Sequence, residues 1–220
     1  MTRSTVRFLS DYSPSNFTIE TVNLTILLDD SNTQVTNELS VRRQGKHQES
    51  LILDGEKLTL VSVSVDDELL ASEQYKQSDT SLTIITDKTD FKVVIVTEIN
   101  PVDNTSLEGL FKSGGAFCSQ CEAEGFRRIS YYLDRPDVMA IFTTKVVGDK
   151  TLYPYLLSNG NKISQGELPD NKHFATWYDP FPKPCYLFAL VAGDFDLLTD
   201  TFTTYTGKEV ALEIFVDKGN

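Results

Sequence analysis

Apolar residues recur at every second position through most of this chain, and helical spacing is nearly absent, so the fold must be built from strands that each bury one face. In NFTIETVNLTILLDD, Val22, Leu24, Ile26 and Leu28 fall on one side and Asn23 and Thr25 on the other. The turn residues Asp29-Asp30-Ser31-Asn32 follow. Val35, Leu39 and Val41 then resume the alternation with Thr36, Glu38 and Ser40 facing out, which predicts a hairpin. Further strands are expected at 57–65, 81–86 and 90–99, separated by turn signals such as Asp54-Gly55 and Asp66-Asp67. Asn159-Gly160 lies between Tyr155-Leu156-Leu157 and Lys162-Ile163 and predicts a tight hairpin, because both residues tolerate positive φ. The fold class expected is mainly β, an antiparallel sandwich or saddle of sheets.

Four other segments carry specific expectations. One or two helical turns are predicted at Asp134-Arg135-Pro136-Asp137-Val138-Met139-Ala140, where Pro suits a first helical turn. Pro180, Pro182 and Pro184 predict an extended connector, since proline donates nothing to a sheet ladder. The apolar run Tyr186 to Ala192 reads as a buried strand, far too short to cross a bilayer. DTFTTYTGKEVALEIFVD reads as a last hairpin turning near Thr206-Gly207, followed by a close at Asp217-Lys218-Gly219-Asn220 that looks like a cut between elements.

Charge narrows the class of partner. With 32 acidic against 20 basic side chains the net charge is −12, which repels polyanions, and no basic patch offsets it, so nucleic acid is set aside. Arg42-Arg43 and Arg127-Arg128 read as solvated or salt-bridged pairs. An acidic field favours cationic ligands instead, including the free amino ends of peptides. The N-terminal stretch MTRSTVRFLSDYSPSNFTIE lacks the apolar core of a secretory signal, and three cysteines suggest reduced thiols. The expectation is a cytoplasmic protein without a membrane partner.

Chemistry within the chain is sparse. The two histidines, His47 and His173, stand in polar contexts, and no H-E-x-x-H occurs. Cys118 and Cys121 are spaced C-x-x-C, but a zinc site there would have to recruit Cys185 and a distant His or Glu. A redox role is opposed by Glu122 and Glu124, whose charges would raise the thiol pKa. No G-x-S-x-G elbow is present, and buried free thiols are the plain reading of all three cysteines. These features alone describe an acidic, β-rich, non-catalytic domain.

The strings LEGLFKSGG (Leu107 to Gly115), GAFCSQCEAEGFRRISYYLDRPDVMAIFTTKV and DPFPKPCYLFALVAGDFD (Asp179 to Asp196) point further. They resemble, in order, the N-terminal region of the bacterial aminopeptidase N family, the M1 or gluzincin-type zinc metalloaminopeptidases. The likeness runs over essentially the whole chain. It implies a β-saddle N-terminal domain over 1–194 and the first strands of a truncated thermolysin-like catalytic domain over 195–220. It also implies zinc in the full-length parent, held by H-E-x-x-H and a downstream glutamate, activating water for attack on the first peptide carbonyl. Neither that motif nor the Gly-Ala-Met-Glu-Asn loop of the family occurs here. No catalytic or metal-ligating residue is therefore assigned within these residues, no cofactor is expected in them, and the fragment alone is expected to be inactive.

What the resemblance carries over is substrate binding. By position, Glu122 corresponds to the glutamate that binds the free α-amino group, and Gln120 to the glutamine lining the pocket for the first side chain. The implied partners are a peptide N-terminus and the catalytic domain of the same chain. Asp134-Arg135-Pro136 is expected to fix the turn that orients Gln120 to Glu122, with Arg127 and Arg128 in salt bridges and Glu124 a nearby carboxylate. The surface around Gln120 to Glu124 and the strands after Phe195 is expected to expose apolar area and to self-associate. An autonomous β-sandwich that binds a peptide or protein remains the alternative, and a Cys-dependent metal or redox protein a third reading.

Overall fold

The structure, a computed structural model, describes residues 8–219. The first seven residues, on which the reading of a signal-free N-terminus partly rests, and Asn220 lie outside them. In chain order the strands are β1 (Phe17–Leu27), β2 (Thr33–Arg43), β3 (Leu51–Asp54), β4 (Thr59–Val65), β5 (Glu68–Leu69) and β6 (Tyr75–Gln77). Next come β7 (Ser81–Ile84), β8 (Asp90–Ile99), β9 (Gly109–Ser113), β10 (Ala116–Gln120), β11 (Met139–Asp149) and β12 (Tyr155–Ser158). The last are β13 (Asn161–Leu168), β14 (Lys172–Pro184), β15 (Leu190–Gly193), β16 (Phe195–Thr203) and β17 (Glu209–Asp217). Single 3-10 turns at Leu9–Asp11, Phe126–Arg128 and Cys185–Leu187 are the helical elements among the described residues.

Alternation becomes burial as expected. Val22, Leu24, Ile26 and Leu28 are all buried, and β1 pairs with β2 in the predicted hairpin, Val22 opposite Leu39 and Ile26 opposite Val35. Asn37, a polar residue in the middle of the inner face of β2, is fully buried. Its Nδ2 donates to Ser130 Oγ at 3.1 Å and to the Tyr131 carbonyl at 3.3 Å, which ties the strand to the segment after the second 3-10 turn. An eight-stranded sheet runs β13-β14-β11-β1-β2-β8-β4-β5, a four-stranded sheet runs β12-β15-β10-β9, and a three-stranded sheet runs β3-β7-β6. Pairing is antiparallel except between β1 and β11, which are parallel. One core joins side chains from these three sheets, including Phe142, Phe117 and Leu53. β16 and β17 pair only with each other.

Four expectations are corrected. No helix forms over 134–140: residues 136–137 make a turn, Arg135 folds back on Asp137 (Nε to Oδ1, 2.8 Å), and from Met139 the chain is strand β11. Strand partners on both sides of β11 outweigh a local first-turn preference. Asn159-Gly160 makes a tight turn with Gly160 at φ +86°, but β12 and β13 do not pair; they enter different sheets. Asn159 anchors this corner through bonds to the Leu187 carbonyl (3.1 Å) and from the Ala189 N–H (2.7 Å). Only glycine fits, because a Cβ at 160 would stand 2.2 Å from the Tyr178 carbonyl oxygen.

The proline connector is instead the end of β14. Past Tyr178, the partner of Asn161 at the start of β13, β14 has only β11 beside it, with a register shift between Ala140 and Phe142, and there the three prolines are tolerated. Within the run Tyr186 to Ala192 the strand begins only at Leu190, because Cys185–Leu187 forms a 3-10 turn.

Candidate functional site

β10 ends at Gln120, and its two edges are treated differently. β9 accompanies it to the end, Gln120 opposite Gly109, whereas pairing with β15 covers only Phe117 and Cys118. Ser119 then caps the gap by accepting from the Leu190 N–H at 2.7 Å. Beyond Gln120 the chain folds sharply over 121–125 into the 3-10 turn Phe126–Arg128. The Gly125 N–H bonds to the Cys121 carbonyl at 2.9 Å, and a Cβ on Gly125 would lie 2.4 Å from the Gln120 carbonyl oxygen, so the fold requires glycine there.

The turn has an exposed middle between buried ends. Cys121 is 2% exposed, while Gln120, Glu122, Ala123 and Glu124 face solvent. Gln120 and Glu122, the two predicted ligand contacts, are therefore brought together on one exposed rim, with Gln120 Nε2 donating to the Glu122 carbonyl at 3.2 Å. The peptide bond between Glu122 and Ala123 is cis.

The two glutamates differ in company. Glu124 faces Arg127 Nη1 at 3.5 Å. Among the described residues no Lys, Arg or His nitrogen lies within 4.0 Å of the Glu122 carboxylate. The neighbouring arginines are engaged elsewhere: Arg127 Nε bonds Asp134 Oδ2 at 2.8 Å, and Arg128 Nη2 bridges Glu56 (3.2 Å) and Glu108 (3.3 Å). The expected salt-bridge roles of Arg127 and Arg128 are thus observed.

Beneath the rim lies an apolar plug. Phe126 is fully buried, with ring centroids 5.0 Å from Tyr132, 5.3 Å from Phe188 and 6.1 Å from Phe142. Edge-on aromatic contacts of this kind add to the hydrophobic gain of burial. Beside the plug, Asp134 accepts from the Arg127 N–H at 3.2 Å as well as from its guanidinium, and from the Cys185 thiol at 3.0 Å. Burial works against the Arg127 charge, but its bonds to Asp134 and the charges of Asp54 and Glu124 outweigh it and hold the pKa above its ordinary value.

The thiols are not poised for reaction. Burial first, and then the Asp134 charge, pushes both Cys121 and Cys185 far up; burial and Asp217 raise Cys118. All three are free. Since the thiolate is the reactive form, burial of Cys121 and Cys185 disfavours thiol chemistry there. Among the described residues no three His, Cys, Asp or Glu side chains converge as a metal site, so these residues do not fit the zinc that the family resemblance implies for a larger parent. Among them, too, no helix is long and apolar enough to cross a membrane.

Two features go beyond the sequence reading. One is how Asp134 acts: the string Asp134-Arg135-Pro136 is expected to fix the turn, but the burial of Asp134 and its bonds to Arg127 and Cys185 are not legible in it. The other is Lys112, whose Nζ bonds Asp30 Oδ1 (2.8 Å) and Tyr153 OH (2.7 Å), pinning the β9–β10 hairpin to the β1–β2 turn.

Comparison with known proteins places this geometry in a family. Residues 13–187 match the family profile described as Peptidase M1 N-terminal domain. The chain is 53% identical over 214 residues to aminopeptidase N of Escherichia coli strain K12, which covers 97% of this chain and 24% of the relative. The crystal structure of Legionella pneumophila aminopeptidase A in complex with aspartic acid superposes with a TM-score of 0.91 at 37% identity, covering 98% of this chain and 26% of that one. An M1 zinc metallopeptidase of Deinococcus radiodurans bound to a Tyr-Ser-Ala substrate shares the fold, with a TM-score of 0.79 at 15% identity over 93% of this chain and 48% of that one. The chain spans about a quarter of the length of the curated relatives it matches.

Proposed function

The chain belongs to the peptidase M1 family through its N-terminal domain, and from that premise we propose that it presents Gln120 and Glu122 to the amino terminus of a peptide bound by a complete zinc aminopeptidase. The observation that carries this reading is the Glu122 carboxylate: solvent-facing, without a cationic partner among the described residues, and mounted on a turn whose other side is packed in the core. An ammonium has three donors and no acceptor, and an ionised carboxylate only accepts, so the two form short charge-assisted bonds. Such a bond contributes about 1.5 to 3 kcal/mol, on the order of ten- to a hundredfold in affinity. An internal peptide amide brings no charge and leaves the carboxylate unmatched, so the anchor also discriminates by penalty.

Gln120 stands beside it at the end of β10, its amide already oriented by the Glu122 carbonyl, and in this reading it lines the space for the first side chain. A rim fixed from below loses little entropy on binding, which favours affinity. In the same proposal the bond-breaking chemistry and its zinc are supplied outside these 220 residues, and β16–β17, a two-stranded sheet to itself, begins the domain that supplies them. The aspartic acid named for the Legionella pneumophila aminopeptidase A structure supports a ligand of this class.

The test uses the complete enzyme and its Glu122→Ala variant on an aminoacyl amide with a free amino group and on its N-acetylated counterpart. The reading expects kcat/KM for the free amine to fall about ten- to a hundredfold while the slow turnover of the blocked substrate is little changed. Identical kinetics in parent and variant would remove Glu122 from the site and return the chain to a stand-alone binding module.

A further inference from the structure

Glu122 is exposed and makes no anchoring side-chain bond, so its position is inherited from whatever holds the turn. The turn is fixed at two ends. At its start, Gln120 is paired to Gly109 in the sheet. At its finish, Arg127 is clamped: Asp134 Oδ2 accepts both its backbone N–H (3.2 Å) and its Nε–H (2.8 Å). The Asp134 side chain is only 2% exposed and has no freedom of its own. Its Oδ1 takes the Cys185 S–H at 3.0 Å, and its backbone N–H donates to Asp54 Oδ2 at 3.2 Å, so the segments of Arg127 and Cys185 meet on its carboxylate and that of Asp54 on its backbone.

Between the two fixed ends the chain has little slack. The Cys121 carbonyl holds the Gly125 N–H, and the Gly125 carbonyl holds the Arg128 N–H at 3.1 Å. The guanidinium has a second effect. While Asp134 holds it, its Nη1 faces Glu124 and Glu56 and not Glu122. A guanidinium released from Asp134 would be a mobile cation five residues from a free carboxylate, well placed to neutralise it.

We infer that Asp134 is a positioning residue for the peptide-terminus site: by clamping Arg127 it both fixes the 121–125 turn and keeps the Glu122 carboxylate open to the substrate ammonium. The inference deepens the proposed function and rests on that reading of Glu122. It assigns to Asp134 the positioning expected of the Asp134-Arg135-Pro136 string. Arg135 spends its own bonds on Asp137 and on the Ser13 carbonyl, away from the turn.

The test is a double-mutant cycle in the complete enzyme, with Asp134→Ala and Arg127→Met each made alone and combined with Glu122→Ala. Folding is checked by circular dichroism, and KM and kcat are read on a free-amine substrate. With Glu122 present, Asp134→Ala is expected to raise KM about tenfold with little change in kcat, because a displaced anchor weakens binding before and during reaction alike. Arg127→Met raises KM less, since the backbone N–H at 127 keeps its bond to Asp134. With Glu122 already replaced, neither change raises KM further, and that non-additivity is what a purely structural role would not produce. If Asp134→Ala fails to fold, the Arg127→Met pair decides. KM unchanged with Glu122 present, or raised equally in both backgrounds, overturns the inference while Glu122→Ala alone still reports on the proposed function; a silent Glu122→Ala overturns both.

Discussion

The turn from Cys121 to Arg128 and the hairpin β16–β17 both expose their side chains, but only the first is held from beneath. The turn rides on Phe126, Cys121 and Asp134, all buried, and apart from Ala123 its exposed side chains are polar. The hairpin touches the rest of the protein through Tyr155, whose ring centroid lies 5.1 Å from Phe215 and 6.5 Å from Phe195, and pairs with no third strand. Leu198 (65% exposed), Phe202 (57%) and Ile214 (56%) lie on one face of it in water. The expected apolar exposure is therefore found mainly in the hairpin, while the rim from Gln120 to Glu124 exposes polar side chains and Ala123. The rim carries polar side chains over a buried support. A surface with its apolar face open has the character of half an interface.

The comparison can be broken most easily by truncating the matching aromatic in each region. Phe126→Ala is expected to destabilise the domain by about 3 to 5 kcal/mol in denaturant unfolding, from lost burial plus the cavity left behind. Phe202→Ala is expected to change stability by no more than about 0.5 kcal/mol. Similar losses at the two sites would show that the hairpin is held as firmly as the turn.

Glycines sharpen the contrast at smaller amplitude. Gly125→Ala drives a methyl to within 2.4 Å of the Gln120 carbonyl and is expected to cost about 1 to 3 kcal/mol while shifting the rim itself. Gly207→Ala in the hairpin meets no atom within 4 Å, and only its φ of +83° resists, so about 1 kcal/mol is expected. A thermal melt of each variant separates the two.

Much of the strand framework was legible in the alternation, which placed β1, β2 and β8 because a half-buried strand has to alternate. Partner choice was not. Asn159-Gly160 specified a tight turn correctly, but turn chemistry determines the local backbone and not which sheet each flanking strand joins. Pro136 read as a helix start because the long-range pairing of β11 with β1 and β14 leaves no local trace. The three prolines of β14 sit where one neighbour strand is absent, a fact that depends on where β13 begins. At the site, Gln120 and Glu122 were reached through family likeness, whereas the clamp at Asp134 was not read from charge patterning, since a lone acid beside an arginine looks the same whether solvated or buried.

The smallest expected effect probes the charge beneath the turn. Burial raises the Asp54 carboxyl above its ordinary value of 3.8, with Arg127 and the Asp134 N–H pulling it part of the way back. A carboxyl raised on folding leaves the native state holding more protons than the unfolded one, so its contribution is fully present below the unfolded pKa and is lost as pH rises through the folded value. Asp54→Asn keeps an acceptor for Asp134 and removes that slope. The variant is expected to be more stable than the parent near neutral pH, by less than about 1 kcal/mol, with the advantage vanishing in acid. Denaturant midpoints measured across that pH range provide the check.

The most direct test sets the two glutamates of the rim against each other: KM and kcat for a free-amine aminoacyl amide, measured on the complete enzyme, on Glu122→Ala and on Glu124→Ala. Glu122 stands open, whereas Glu124 is 60% exposed and already paired with Arg127. The account predicts a KM raised about ten- to a hundredfold for Glu122→Ala and altered less than about threefold for Glu124→Ala. Equal losses, or a larger loss at Glu124, would contradict it.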